Sequence, residues 1–486
     1  MNDPHGDVLR WSACDQLAAL ASGSLSSREL LAATRERHSV INPVINAVVT
    51  TDFTAAECIA DESDRRRARG FTPRPLEGLP VAVKDLEDTA GMRTTYGSIL
   101  YANHVPSRDS LVVQRLRAAG AVVYGKTNTP DHGTGSHTYN RVHGTTTNPY
   151  DPTLSAGGSS GGAAAALAAG LSSVADGSDL GGSLRNPAAF CNVVGVRPSI
   201  GSVPNWPVAD GWETLATNGP MARTVSDAAL LLSVLSGPDC HAPVSFPGAL
   251  QSSITPLDRT LRIGWSRTLD GLDIESEITS VLDRDGRTRL VDLGHRVSDL
   301  EPPLRTADTA FRTLRGLAYA RSYGSLIDDH RHELSPELVA NTEFGLRLTV
   351  QDYFDAVTAR TSILGGMTQL FERIDVLAAP VTAVVAFPAE QNWPNVIAGQ
   401  AQIDYLEWMR SCWRITLTGF PAISVPCGFN ANGLPIGMQL IAPPRSEGML
   451  LALAHQFEQA NPVWQTRPRV LLDMEYDMAT DGKEAL

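Results

Sequence analysis

The chain has 486 residues, of which 43% are apolar and 19% are charged, and its formal net charge is −13. This length allows a large buried core, and the acidic balance argues against binding to nucleic acid or to an anionic membrane. No stretch of 18 uninterrupted apolar residues suggests a transmembrane helix. Because residues 1–7 lack a basic segment followed by an apolar run, we expect no secretory signal and a cytoplasmic location.

The first elements in chain order are predicted to be helices. Residues 12–21 form a short apolar-periodic run that ends near Gly23. Ser26-Ser27-Arg28-Glu29 is a capping box, and the helix that it opens should run to about His38 before Pro43 stops it. Residues 51–69 predict a third helix.

Strands and helices then alternate, which indicates an α/β fold. Residues 110–119 and 163–169 read as helices, and residues 300–410 are mostly helical by pattern. A hairpin is predicted around Asn432-Gly433, and a helix follows at about 447–460. The predicted strands are 79–84, 121–126, 261–265, 375–380, 423–429 and 435–442.

We find no internal repeat and no clean linker, so one domain is expected over residues 1–486. Its parts are an N-terminal helical segment (about 1–70), a core (about 71–250), a mostly helical segment that shapes the substrate pocket (about 300–410), C-terminal strands and a helix (about 411–472), and a loose tail (473–486). Six scattered cysteines lack CxxC spacing and eleven histidines lack HExxH spacing, so free thiols and no metal site are expected.

Lysine is rare in this chain, which has 37 arginines but only three lysines: Lys84, Lys126 and Lys483. A buried lysine amine can lose its proton near neutral pH, whereas a guanidinium cannot. Lys84 lies at the end of an apolar strand, where desolvation favours the neutral amine. Lys84 is therefore a candidate base. For Lys126, two interpretations are equally compatible with the sequence: a structural role, in which it donates hydrogen bonds to loop carbonyls, and a direct role in a site.

Two glycine-rich loops each contain a serine. Loop one is residues 157–162 (Gly-Gly-Ser-Ser-Gly-Gly), and loop two is residues 177–187 (Gly-Ser-Asp-Leu-Gly-Gly-Ser-Leu-Arg-Asn-Pro). Glycines leave backbone N–H groups uncovered, and consecutive N–H groups can stabilise an oxyanion. A serine nucleophile needs a base, and His132, His137 and His143 stay open as alternatives to Lys84. Loop one also matches the GxSxG elbow of α/β-hydrolases, but residues 148–156 before it read as loop rather than strand.

Residues 157–188 resemble the signature of the amidase signature family almost position by position. The two key serines, Ser159 and Ser183, are 24 residues apart, as in that family. Residues 78–85, 125–128, 147–149, 418–426 and 433–439 also resemble its motifs. The resemblance implies a three-layer α/β/α sandwich with a central mixed β-sheet and no metal or organic cofactor.

By this resemblance, Ser183 is the nucleophile, Ser159 relays a proton and Lys84 is the general base and acid. The oxyanion hole would consist of the backbone N–H groups of Leu180, Gly181, Gly182 and Ser183. Gly158 would precede Ser159 through a cis peptide. Ser160, Asp179 and Arg185 would support the loops.

The substrate is expected to be a small amide with an apolar or aryl group, an anilide, or an aryl carbamate or ester. Aromatic residues proposed to line the pocket are Tyr139, Trp206, Trp212, Phe311 and Tyr319. Two alternatives stay open: the glutaminase subunit of a tRNA-dependent amidotransferase, and an amidase-like binding protein without catalysis. Monomer and homodimer are both compatible with the sequence.

Overall fold

The structure is a computed structural model that describes residues 7–246 and 250–474. An eight-stranded mixed sheet runs through it in the order β12-β11-β13-β17-β16-β9-β10-β8. Strand β11 pairs in parallel with β12 and β13, and the other neighbours are antiparallel. The strands of the described residues are β1 (Val48–Thr51), β2 (Pro80–Lys84), β3 (Val122–Thr127), β4 (Tyr139–Asn140), β5 (Gly144–Thr145), β6 (Thr147–Asn148), β7 (Asp151–Ser155), β8 (Val174–Asp179), β9 (Val194–Arg197), β10 (Thr217–Ala222), β11 (Arg262–Trp265), β12 (Arg296–Asp299), β13 (Val376–Pro380), β14 (Val396–Ile397), β15 (Gln400–Ala401), β16 (Ala422–Phe429) and β17 (Pro435–Ile441).

Helices cover both faces of this sheet. In β13, Val376 and Ala378 belong to one buried apolar cluster, whereas Leu377 and Ala379 belong to another, as expected when successive side chains point to opposite faces. The helices are α1 (Ala13–Ser22), α2 (Ser27–Ile45), α3 (Phe53–Ala68), α4 (Leu111–Ala118), α5 (Gly161–Ala168), α6 (Arg185–Phe190), α7 (Val225–Leu235), α8 (Ser276–Val281), α9 (Thr288–Asp292), α10 (Ala307–His330), α11 (Pro336–Leu346), α12 (Val350–Arg373), α13 (Arg410–Thr418) and α14 (Glu447–Ala460).

The cluster that contains Leu377 and Ala379 includes residues of α5, α6, α10, α12 and α13, and the cluster that contains Val376 and Ala378 includes residues of α1, α4, α7, α8 and α14. The arrangement is therefore the three-layer α/β/α sandwich expected from the sequence. Within residues 7–246 and 250–474, no helix is long and apolar enough to cross a membrane. Of the loose tail expected at 473–486, all but the first two residues lie outside the described part of the chain.

Three local predictions were wrong. Helix α2 does begin with the expected capping box, but it includes Pro43 and ends at Ile45, before Asn46 in the left-handed conformation. Proline removes one N–H donor, and here this loss falls in the last turn, where the helix is about to end. Residues 174–179, which overlap the expected second loop, form β8 because they pair with β10. Residues 151–155, expected to be loop, form β7, which pairs with β6 outside the central sheet.

A small sheet of order β1-β3-β2 carries Lys84 to the edge of the central sheet. Strand β2 faces β8 through side chains: the backbone N–H of Lys84 donates to Asp176 Oδ1 (3.0 Å), and that of Ala82 donates to Ser172 Oγ (3.4 Å). The end of β2 thus lies beside the end of β8, where loop two begins.

Candidate active site

The Lys84 side chain is fully buried at the end of β2. Its Nζ donates hydrogen bonds of 2.9 Å to each of three hydroxyl groups, those of Ser159, Ser160 and Ser178. Burial lowers the pKa of Lys84 to about 8, although nearby carboxylates, Asp176 first among them, favour the charged amine. An amine with this pKa is partly neutral near pH 7, so it can accept a proton.

The carboxylates around Lys84 are themselves perturbed by burial. Desolvation raises the pKa of Asp176. Desolvation, and then the charge of Asp176, raise the pKa of Glu87 to about 7. Protonation of either group reduces the negative charge near Lys84. The surroundings therefore favour a neutral amine more than two ionised carboxylates would.

Loop one is held by hydrogen bonds from the segment before it. The Gly158–Ser159 peptide bond is cis, as expected. Ser136 Oγ donates to the Gly158 carbonyl oxygen (2.7 Å), and Thr138 Oγ1 donates to the Gly157 carbonyl oxygen (2.8 Å). The backbone N–H of Ser160 donates to the Ser183 carbonyl oxygen (3.3 Å), which ties loop one to loop two.

Asp179 anchors loop two. Arg185 donates two hydrogen bonds of 2.9 Å to its carboxylate, and Arg197 lies 3.4 Å from it. All three side chains are fully buried. Burial alone would raise the pKa of Asp179, but the charges and hydrogen bonds of the two arginines outweigh it and hold that pKa well below its usual range.

The backbone N–H groups of loop two divide into two kinds. The N–H of Gly182 donates to Asp179 Oδ1 (2.8 Å), so it is already occupied. Those of Leu180, Gly181 and Ser183 have no acceptor among the described residues, and these three residues line the cavity of the site. The expected oxyanion hole therefore has three available donors rather than four.

Ser159, Ser178 and Ser183 line one cavity of about 840 Å³. Its aromatic and imidazole rings come from Tyr96, Tyr101, His104, His132, Tyr319 and Tyr323, and many of them contact one another. The hydroxyl groups of Ser159 and Ser183 form no direct hydrogen bond with each other in the described residues, whereas that of Ser159 accepts from Lys84.

Of the five aromatic residues expected in the pocket, only Tyr319 lines this cavity. Tyr139 instead donates its hydroxyl to Glu337 (2.9 Å). Trp206, which stacks on His241, and Trp212, which is 71% exposed, belong to a loop whose neighbouring residues line the cavity. Phe311 is fully buried and stacks on Trp413 behind Gly181, because α10 turns this residue toward the core.

The histidines left open by the sequence make no hydrogen bond to Ser159 or Ser183 in the described residues. His137 lies between Ser155 and the Ala389 carbonyl, and burial lowers its pKa to about 4. Burial also lowers the pKa of His143 to about 4. His132 lines the cavity, but its Nδ1 lies 2.7 Å from Asp131.

Lys126 donates hydrogen bonds to the Glu87 carbonyl oxygen and to Thr89 Oγ1, in agreement with the structural explanation that the sequence left open. In the described part of the chain, one group of side chains could hold a metal ion: Asp239, Cys240 and His241, which are consecutive. The six cysteines are free thiols.

Sequence reasoning missed Ser178 as a partner of Lys84. It lies two residues after Asp176 on β8, so both side chains point to the same face of the strand, toward β2. The period-2 pattern of a strand predicts this contact once residues 174–179 are assigned to β8 rather than to a loop.

Known proteins resemble this chain over nearly its whole length. The sequence model of the Amidase family matches residues 29–451. An acylamidase of Rhodococcus erythropolis is 34% identical over 467 residues, which cover 95% of this chain and 98% of that protein. A glutamyl-tRNA(Gln) amidotransferase subunit of Chloroflexus aurantiacus is 36% identical over 482 residues, covering 94% of this chain and 97% of that protein.

The structural comparison agrees. The crystal structure of a bacterial aryl acylamidase of the amidase signature family superposes with a TM-score of 0.89 at 28% identity, and the match covers 95% of this chain and 98% of that one. The family resemblance of the sequence is thereby confirmed. This chain belongs to the amidase signature family and is an amide-hydrolysing enzyme.

Proposed function

We propose that the protein hydrolyses amides through an acyl-enzyme on Ser183, with Ser159 as proton relay and Lys84 as base and acid. The observation that carries this proposal is the fully buried Lys84 amine, which lies 2.9 Å from Ser159 Oγ. Its pKa, lowered to about 8, suits an amine that must accept and return a proton near neutral pH.

In the proposed cycle, Lys84 takes a proton from Ser159 while Ser159 takes one from Ser183. Ser183 Oγ attacks the amide carbonyl carbon, and the resulting oxyanion accepts hydrogen bonds from the N–H groups of Leu180, Gly181 and Ser183. The C–N bond then breaks as the proton passes to the leaving nitrogen. Water attacks the ester, the carboxylic acid leaves and Ser183 regains its proton.

Aryl amides and anilides are the proposed substrates, with aryl carbamates and esters as further candidates. The support is the group of aromatic side chains in the cavity, especially Tyr319 and Tyr323 of α10. We also propose that residues 300–410 and the core act as one domain, because both supply walls of this cavity. An aryl acylamidase and an acylamidase are among the similar proteins.

The proposal is tested with a panel of alkyl amides, anilides, aryl carbamates, esters and glutamine, with Ser183→Ala as control. Hydrolysis of an anilide should fall by at least about 10³-fold in this variant. A sulfonyl fluoride probe should label Ser183 in the wild type only. Hydrolysis that survives Ser183→Ala unchanged would overturn the mechanism, and a preference for acetamide over every aryl compound would overturn the substrate class.

A second candidate is the glutaminase subunit of an amidotransferase, supported by the 36% identity to such a protein. Glutamine hydrolysis that appears only after partner subunits are added would favour it over a stand-alone amidase. An amidase-like protein without catalysis is the third alternative, and labelling of Ser183 by the probe would exclude it.

A further inference from the structure

Arg315 stands out among the charged residues of the cavity. It lies on α10, one helical turn after Phe311, and only 4% of its surface is exposed. No carboxylate lies within ion-pair distance of it among residues 7–246 and 250–474. A buried charge is expensive unless it is paired and hydrogen-bonded, so an arginine of this kind needs an explanation.

The neighbours of Arg315 are neutral and hold it in one orientation. Its Nε donates to Asn341 Oδ1 (3.1 Å), and its Nη2 donates to the hydroxyl groups of Tyr319 (2.7 Å) and Tyr405 (2.6 Å). The guanidinium also lies over the ring of Tyr319, 4.3 Å from its centre. These contacts fix the position of the charge, but they do not neutralise it.

One nitrogen of this guanidinium is left over. Nη1 has no hydrogen-bond partner among the described residues. It is not completely enclosed by protein atoms, so part of its surface is accessible. Arg315 lines the same cavity as Ser183, so its free nitrogen can reach a group bound there. The molecule therefore presents a fixed, uncompensated positive charge to whatever enters.

The carboxylates of the cavity do not supply the missing partner, because each is engaged elsewhere. Glu87 accepts from Ser110 and Asn218, and Asp88 accepts from the Tyr96 hydroxyl. Asp210 pairs with Arg321, and Glu213 accepts from the backbone N–H groups of residues 215 and 216. These negative groups also disfavour a multiply charged anion such as phosphate, whereas a single carboxylate matches the one free charge.

We infer that Arg315 binds a carboxylate group of the substrate, so that the preferred substrates are amides with an anionic group at one end. This inference rests on the proposed function, because it assigns an additional contact to the same cavity. A hydrogen bond between charged groups in a desolvated site has a large effect on binding. We expect a preference of about 10- to 100-fold for the carboxylate in kcat/KM.

Two matched substrate pairs test the inference in the wild-type enzyme. The first compares N-glutaryl-4-nitroanilide with N-pentanoyl-4-nitroanilide, which places the charge on the acyl side. The second compares 4-acetamidobenzoate with 4-methylacetanilide, which places it on the amine side. A preference of about tenfold or more for the carboxylate in either pair supports the inference and identifies the side. A ratio near one in both pairs overturns it.

Variants of Arg315 then show whether this residue causes the preference for the carboxylate. For the preferred pair, Arg315→Gln should bring the ratio of kcat/KM between the carboxylate substrate and the neutral substrate close to one, mainly through a higher KM for the carboxylate. Arg315→Lys should keep part of the preference for the carboxylate. The matched control is Arg305→Gln, which removes an exposed arginine just before α10, paired with Asp270, and should leave the ratio unchanged. A ratio that is the same in Arg315→Gln and wild type would overturn the inference. If the proposed function itself is wrong, either no anilide is hydrolysed or hydrolysis survives Ser183→Ala. If only the inference about Arg315 is wrong, hydrolysis depends on Ser183 but the two substrates of each pair have similar kcat/KM.

Discussion

The titration of Lys84 gives the most direct test of the proposed mechanism. Burial holds its pKa at about 8, and the neutral amine is the form that acts as base. Activity must therefore rise with pH as the proton is lost. About a tenth of the enzyme has a neutral Lys84 at pH 7 and about a hundredth at pH 6. We expect kcat/KM to rise about tenfold from pH 6 to pH 7 and to level off above about pH 9.

The assay is hydrolysis of an anilide from pH 5.5 to 9.5, measured as kcat/KM. Lys84→Arg keeps the charge but cannot supply a neutral amine, so activity should fall by about 10²- to 10⁴-fold at every pH. The matched control is Lys126→Arg, which alters a second lysine that is buried in the described part of the chain. Its profile should keep a midpoint near 8, whatever its activity. A flat profile between pH 6.5 and 8.5 in the wild type, or near-normal activity of Lys84→Arg, would refute the reasoning.

Four further changes probe the support of the site. Ser178→Ala removes one acceptor of the charged Lys84 amine, so the midpoint of the pH–rate profile should move below 8. Asp179→Asn leaves two buried arginines without their partner and should lower the free energy of unfolding in urea by about 3–5 kcal/mol. Phe311→Ala should cost about 3–5 kcal/mol in the same measurement, because it empties the space behind Gly181. Gly182→Ala should cost about 1–3 kcal/mol and reduce kcat, since φ is +112° there and a Cβ atom would lie 2.5 Å from that of Cys412.

Surface variants provide the controls for these stability measurements. Glu62 and Arg65 form an exposed ion pair, so Glu62→Gln should change the free energy of unfolding by less than about 1 kcal/mol. If Asp179→Asn had an equally small effect, the ion-pair cluster would not anchor loop two. A midpoint that stays at 8 in Ser178→Ala would mean that this hydroxyl does not influence the lysine.

Much of the fold could be predicted because local signals coincide with tertiary structure. The capping box at Ser26, the Asn432-Gly433 turn and the apolar run ending in Lys84 each specify an element directly. Residue preferences do not indicate strand β8, because it contains a glycine and a serine: a side chain at Gly177 would collide with Leu184 and Ser160, and Ser178 accepts a hydrogen bond from Lys84. Propensity alone therefore predicts loop where pairing with β10 imposes a strand.

The candidate site could also be predicted only in part from the sequence. The spacing of Ser159 and Ser183 and the rarity of lysine indicated the residues around the amine. Which residues line the cavity could not be read from residue type, since aromatic side chains serve equally well in a core and in a pocket. Phe311 and Tyr319 lie on the same helix, yet only Tyr319 reaches the cavity. Helix rotation, which sequence periodicity leaves uncertain here, decides between them.

The three hydroxyl groups around Lys84 can act as hydrogen-bond partners of the amine in both of its protonation states. A protonated amine donates one hydrogen to each of them. A neutral amine has two hydrogens and one lone pair, so it can keep two of these bonds and accept the third from Ser159. The change between the two states then moves one proton between Lys84 Nζ and Ser159 Oγ, which lie 2.9 Å apart. The same contacts of Nζ therefore suit both halves of the proposed proton transfer, in which the amine first accepts a proton and then returns it.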